Sequence, residues 1–587
     1  MAPHSDNALV VQSDLTVLAE VHAPRYEEAR DALARFAELV KSPEHVHTYR
    51  ISPLSLWNAA TTGMTAAEVI DALEAHARYD LPSNVRSEVT EYLSRWGRLR
   101  LLPAPNPGEP LRLEVRDEQL AARMGSDDRL APLLQGRLAP DVWAVPLGAR
   151  GTLKQALLKL GFPVDDQAGF TPGAAHDFAL REVTLGNQPF ALRDYQAEAV
   201  RIFLQGGVGT AGGHGVVVLP CGAGKTVVGL AAAAALKTRT LVLATSRPAA
   251  RQWLREALDK TSLSEDDVGE YNGTTKRIRP FTVATYHIVS HRRRKGSGGE
   301  YPHYSLFDSE DWGLIIYDEV HLLPAPVFRI TAQLQARRRL GLTATLIRED
   351  GKEGDVFSLI GPKRYDVPWK EMEARGFIAQ AACYEIRLDL PESRQWAYAT
   401  ATEGHEAFRI AAENPDKLLA ALELVRGHAG ERILVIGHYV SQVSELARRL
   451  KAPLLTGETS TAERERHFQA FRDGDERLLV LSRVGNFSID LPSASVMIQV
   501  SGLFGSRQEE AQRLGRILRP KEGTAIFYTL VTRGTVEQQY ALNRQLFLTE
   551  QGYRYYIEEW ARDGAAAPPV DPAPPIVPAL ALPALPD

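Results

Sequence analysis

Five apolar runs of strand length lie between residues 215 and 343, at 215–219, 240–245, 281–285, 313–317 and 339–343, with helical stretches between them. Near-continuous apolar runs, as opposed to alternating ones, mark strands buried on both faces, so the pattern predicts a parallel sheet covered by helices. The series recurs at 433–436, 478–481, 496–500 and 525–528, which predicts a second sheet of the same kind.

The first part of the chain has a different texture. Ala29, Leu33, Phe36 and Val40 fall at helical spacing and predict one amphipathic helix over 24–42. Thr65 and Glu68 form a capping box that opens a helix to about Arg78. A second helix from Ser83 places Val85, Val89, Tyr92, Leu93 and Trp96 along one face. Two period-two segments follow, with Leu99, Leu101, Leu111 and Leu113 on one side and Arg98, Arg100 and Arg112 on the other. Two short helices and a hairpin resemble a winged-helix module, whose basic face suits a duplex backbone. The same face equally suits the wet side of a half-buried sheet. A strand at 142–145 and a helix opened by Thr152 and Gln155 make a further small α/β patch, and 165–186 reads as a linker.

The expected fold class is therefore α/β, with two tandem parallel-sheet lobes preceded by an α+β region that includes the winged-helix-like module. The expected divisions are 1–115, an accessory region and linker at 116–186, a first lobe at 187–390 and a second at 391–562. An Ala/Pro-rich tail at 563–587 has almost no charge and reads as flexible.

Composition narrows the function classes. The chain has 587 residues, enough for several domains, with 44% hydrophobic and 24% charged residues and no apolar run long enough to span a membrane. The opening residues lack a basic segment followed by an apolar one, so the cytoplasm is the expected location. The cysteines Cys221 and Cys383 lie far apart and show no metal-binding spacing. A net charge of −5 argues against a static basic coat on nucleic acid, yet leaves room for a motor that grips phosphate locally.

The candidate chemistry starts at residues 219–226, Leu-Pro-Cys-Gly-Ala-Gly-Lys-Thr, between a strand-like run and an Ala-rich helical run. Gly222 and Gly224 let backbone N–H groups turn toward an anion, Lys225 adds a full charge, and the Thr226 hydroxyl is placed to hold magnesium. The general phosphate-loop pattern asks for Gly at 219, where this chain has Leu. Without further support the segment could be a Gly-rich turn joining a buried strand to its helix. Asp318 and Glu319 follow the run 313–317 at the carboxyl edge of the same sheet. There Asp318 can hold the magnesium and Glu319 can orient and deprotonate an attacking water. In the second lobe, helical spacing puts Arg513 with Arg516, and Arg516 with Arg519, on shared faces suited to arginine fingers.

Taken in order, these segments resemble superfamily-two helicases over residues 187–535. Residues 192–196 (Leu-Arg-Asp-Tyr-Gln) look like the adenine-recognition motif, the phosphate loop like motif I, 318–321 (Asp-Glu-Val-His) like motif II and 343–345 (Thr-Ala-Thr) like motif III. Residues 482–490 and 512–519 look like motifs V and VI. Arg348, Glu349 and Asp350 resemble the RED motif of the XPB branch, and residues 10–102 look like the N-terminal domain of its bacterial members.

The resemblance implies RecA-like lobes that use ATP and Mg2+ for 3'-5' movement on double- and single-stranded DNA, in repair. Arg193 and Gln196 would read adenine, with Gly485, Asp490, Gln512 and Arg513 completing the nucleotide set and Arg516 and Arg519 as fingers. Thr285, Thr343, Thr345, Arg348, Glu349 and Asp350 would couple the nucleotide to DNA. The alternatives are an RNA-directed motor and a nucleotide-gated scaffold that recruits a repair nuclease without unwinding. Residues 103–180 match the damage-recognition domain of archaeal members only vaguely, and no thumb insertion is clear between 391 and 414.

Overall fold

A computed structural model of the chain describes residues 6–42, 45–106, 109–205, 212–291, 302–307, 309–334, 337–344, 353–482, 494–502, 510, 513–515 and 524–560. Thr345, Arg348, Glu349, Asp350, Gly485, Asp490, Gln512, Arg516, Arg519 and the Ala/Pro tail lie outside them. The chain forms two compact units, residues 1–219 with 224–366 and residues 220–223 with 367–587. Among the described residues no helix is long and apolar enough to cross a membrane.

The first unit holds a seven-stranded sheet in the order Val268–Tyr271, Phe281–Thr285, Thr240–Ala244, Leu314–Asp318, Arg338–Thr343, His214–Val218 and Lys363–Asp366. Every pair is parallel. The five apolar runs fill the middle of this sheet. The two outermost strands, Val-Gly-Glu-Tyr and Lys-Arg-Tyr-Asp, carry charged residues because each pairs on one side only. Register aligns Val218 with Thr343 and Asp318 with Leu342, so the strand ends bearing the candidate chemistry finish along one edge.

The stretch 24–42 divides into the helix Tyr26–Leu33 and the strand Glu38–Lys41. Ala29 and Leu33 pack inward from the helix, whereas Leu39 sits opposite Tyr49 in a four-stranded antiparallel sheet. An apolar residue every third or fourth position fits a helix and then a strand equally well over so short a span. The Thr65 capping box forms: its backbone N–H donates to Glu68 Oε2 at 2.8 Å and its hydroxyl accepts from the Glu68 N–H at 3.3 Å.

The hairpin Leu99–Leu102 and Leu111–Val115 belongs to a five-stranded sheet with Gly136–Ala139, Val142–Val145 and Val164–Asp166. This sheet takes strands from both sides of residue 115. Its four leucines are buried against Leu153 and Leu157 of the helix Arg150–Lys159, while Arg112 faces solvent, as the wet-side reading of the alternation requires. That helix begins two residues before Thr152, because the 3-10 turn Leu147–Ala149 runs directly into it.

The same helix fastens this sheet to the parallel one. Arg150 donates to both Asp166 oxygens, at 3.0 and 2.7 Å, and Lys154 Nζ lies 2.7 Å from Oδ2, with all three side chains at most 5% exposed. A side chain at Gly151 would run into the Ala332 carbonyl. Gln155 donates to Asp355 at 2.8 Å, Trp96 meets Phe357 edge-on at 6.1 Å, and the Lys363 N–H donates to Asn58 at 3.1 Å.

The second unit holds another wholly parallel seven-stranded sheet, in the order Leu454–Leu455, Leu478–Leu481, Ile433–Ile436, Val496–Gln499, Ala525–Thr532, Ala381–Leu388 and Tyr555–Trp560. Its C-terminal strand is held by aromatics. Tyr384 stacks on Tyr528 at 5.2 Å and packs on Tyr556 at 5.4 Å, and the buried Tyr553 meets Trp369 edge-on. Lys417 and Glu537 form a fully buried ion pair at 2.5 Å beneath the helix Val536–Glu550.

Candidate active site

Strand His214–Val218 is buried at every position, and the chain leaves it through Leu219 into the turn that starts the helix Lys225–Leu236. Gly222 and Gly224 have φ of +84° and +80°, a left-handed conformation that side-chain-bearing residues resist. Gly224 is also crowded: an added Cβ would lie 2.5 Å from Nε2 of Gln196. The buried Gln196 therefore sits against the phosphate loop, and its Oε1 accepts the Arg193 N–H at 3.0 Å. Lys225 and Thr226 occupy the first turn of the helix, where unpaired backbone N–H groups and the positive end of the dipole favour an anion.

The acidic pair faces this turn. Glu319 Oε1 lies 3.6 Å from Lys225 Nζ, and Glu319 adopts φ +49°, a left-handed conformation unusual for its residue type. Burial and the adjacent Glu319 charge push the Asp318 carboxyl up to about 6. Burial acts in the same sense on Glu319, but the charges of Lys225 and His321 outweigh it and hold that carboxyl below its ordinary value. Among the described residues Glu319 Oε2 accepts no hydrogen bond.

Three further side chains fix the pair. His321 Nδ1 is hydrogen bonded to Thr343 Oγ1 at 2.6 Å, both residues being buried, which ties motif II to the end of the neighbouring strand. The Tyr286 hydroxyl donates to the Asp318 carbonyl at 3.0 Å, and the Trp253 indole N–H donates to Asp318 Oδ2 at 2.9 Å. Sequence reasoning passed over Tyr286 and Trp253, neither of which belongs to a recognisable spacing. The signal at Trp253 is an aromatic on the inward face of the helix Arg247–Lys260, which alone reads as core.

The structure thus brings together Gln196, Gly224, Lys225, Asp318, Glu319 and Thr343. Thr285 is buried at the end of its strand, beside Ala244 in register. Arg513 is fully buried in the second unit, where its guanidinium donates to Gln499 Oε1. Gln499 in turn donates to Glu510 at 3.0 Å.

Over 558 residues the chain is 54% identical to the DNA 3'-5' helicase XPB of Kineococcus radiotolerans, a match covering 94% of this chain and 96% of that one. The chain belongs to the XPB family of helicases. The DNA 3'-5' helicase XPB of Mycobacterium tuberculosis is 52% identical over 94% of this chain and 98% of its own. The general transcription and DNA repair factor IIH helicase/translocase subunit XPB of Antonospora locustae is 32% identical, over 94% and 81%. Residues 372–563 match the family described as ERCC3/RAD25/XPB C-terminal helicase. Residues 189–348 match the type III restriction enzyme res subunit, and 9–139 a helicase conserved C-terminal domain. The two parallel sheets are accordingly the two RecA-like lobes of an XPB helicase.

Proposed function

We infer that the chain is an ATP-dependent DNA 3'-5' helicase, with the site on the first unit binding and hydrolysing ATP. The observation that carries this reading is the convergence of Gln196 and Lys225 on one turn, faced by Glu319 and tied through His321 to Thr343. Gln196 and Arg193 recognise the base, and the backbone N–H groups of the loop with Lys225 hold the terminal phosphates. Glu319, kept ionised by Lys225 and His321, orients water and accepts its proton.

The oxygen donors Thr226 and Asp318 suit a hard divalent cation, and magnesium held there would neutralise charge on the terminal phosphates. Arg516 and Arg519 are assigned to the charge of the transition state, with Gly485, Asp490, Gln512 and Arg513 completing the nucleotide set. Thr285, Thr343, Thr345, Arg348, Glu349 and Asp350 are assigned to coupling with DNA. The His321–Thr343 bond supports this by linking the acidic pair to the strand that leads into residues 345–350. A repair role accords with the name of the Antonospora relative as a DNA repair factor subunit. A repair nuclease as partner and a cytoplasmic location belong to the same proposal.

Strand displacement on duplexes with 3' or 5' single-stranded overhangs tests the reading, alongside ATPase stimulation by duplex DNA, single-stranded DNA and RNA. Displacement from the 3' overhang with DNA-stimulated turnover is expected. Stimulation by RNA alone would overturn it, and triplex displacement without strand displacement would make the chain a duplex translocase.

A further inference from the structure

The indole of Trp253 is walled in on two sides. Its helix, Arg247–Lys260, is capped by the Ser246 hydroxyl, which accepts the Ala249 N–H at 3.3 Å, and presents Ala250, Trp253 and Ala257 inward. Trp253 is 1% exposed. One wall is the helix Lys225–Leu236 at Gly229, where an added Cβ would lie 2.5 Å from Cη2 of the indole and 3.2 Å from Leu342. The other wall is Asp318 itself, whose Oδ2 accepts the indole N–H at 2.9 Å.

Gly229 stands in the middle of an otherwise Ala-rich helix, where glycine costs about 1 kcal/mol relative to alanine. The cost is tolerated because only glycine leaves room for the ring. An indole N–H is a donor and nothing else, and a buried one needs an acceptor. Here that acceptor is the carboxylate proposed to hold the divalent cation, so the hydrogen bond sets how the carboxylate is turned. Partners of this kind, one step removed from a metal, typically change its affinity about 10-fold or more when removed.

We propose that Trp253, seated against Gly229, is a positioning residue that orients the Asp318 carboxylate for the divalent cation of the nucleotide site. It rests on the ATPase reading above and adds to it the residue that sets cation affinity. The ring is also placed to transmit any shift of the phosphate-loop helix to Asp318, because the two share one contact surface with it.

The test uses the full-length chain and Trp253→Phe, which keeps most of the ring and removes the donor. Mn2+ binding in the presence of ADP is followed by electron paramagnetic resonance, and binding of a fluorescent ADP analogue is followed in EDTA. The expected result is Mn2+ binding weakened about 10-fold with unchanged nucleotide binding in EDTA. Gly229→Ala, which crowds the indole, should weaken Mn2+ in the same sense. Unchanged Mn2+ affinity in Trp253→Phe overturns the proposal. Equal losses of Mn2+ and of metal-free nucleotide binding also overturn it, since they would make the ring a packing element only. Failure of the ATPase reading shows separately, as a wild-type chain that binds neither nucleotide nor nucleotide-dependent Mn2+.

Discussion

Lys225 and Glu319 face each other across 3.6 Å, and each has a role that a shorter or neutral side chain cannot fill. Lys225→Ala removes the only full charge in the loop turn and should abolish ATP hydrolysis and weaken nucleotide binding. Glu319→Gln keeps the shape but loses the base, so hydrolysis should fall at least 100-fold, within the typical contribution of a general base, while nucleotide still binds. Steady-state ATPase with equilibrium binding of a fluorescent analogue separates the two effects. Gly224→Ala would impose about 1–2 kcal/mol of backbone strain at φ +80° and displace Gln196, so adenine nucleotides should bind more weakly with little discrimination left against GTP.

At this scale the phosphate loop and acidic pair were legible because their chemistry depends on local spacing. Trp253 and Tyr286 were not, since their bonds reach Asp318 from 65 and 32 residues away. Helical spacing likewise put Arg513 and Arg516 on one face without saying whether that face turns toward solvent, and Arg513 turns out to be buried.

Among the elements, the helix Arg150–Lys159 carries the most concentrated electrostatics. Asp166 pairs with both Arg150 and Lys154 in a buried site, and burial already lowers the Lys154 ammonium to about 7, so Asp166→Asn would leave the Arg150 guanidinium short of its carboxylate and should destabilise the first unit by about 3–5 kcal/mol. Burial would raise the Asp166 carboxyl, but Lys154 and Arg150 outweigh burial and hold it well below its ordinary value. Its folded-state pKa thus lies under the unfolded one, so its stabilisation is complete above about pH 4 and drains away as the pH falls further. Urea unfolding should show the gap between wild type and Asp166→Asn narrowing on that acid side.

None of this was visible in the pattern, which assigned 165–186 to a linker. Asp166 looks like solvent-exposed chain until its partners, 12 and 16 residues earlier, are folded against it. The central strands of both sheets were read correctly because burial on both faces makes them uniformly apolar. Among the strands missed, Lys363–Asp366 and Tyr555–Trp560 lie at sheet edges and have the mixed composition of one-sided pairing.

For the whole molecule, a net charge of −5 means that attraction to DNA comes from local clusters of cations. DNA concentrations giving half-maximal ATPase stimulation should therefore rise steeply with salt, linearly on logarithmic axes, and differ little between duplexes of unrelated sequence. A strong preference for one sequence at constant salt would contradict a backbone-gripping motor. The division into an N-terminal α+β region and two parallel lobes was legible from texture alone, because alternating and continuous apolar runs obey different burial rules. How the leading sheets join the first lobe was not, since Gly151 against Ala332 and Asn58 against Lys363 are contacts between distant stretches.

That joint has a kinematic consequence. With the Gly151–Ala332 contact, the Gln155–Asp355 hydrogen bond and the Trp96–Phe357 edge all crossing it, residues 83–166 have no soft axis about which to swivel against the first lobe. They are passengers of that lobe, so dyes placed at exposed Leu138 and exposed Leu185 should keep one energy-transfer efficiency through every stage of the nucleotide cycle.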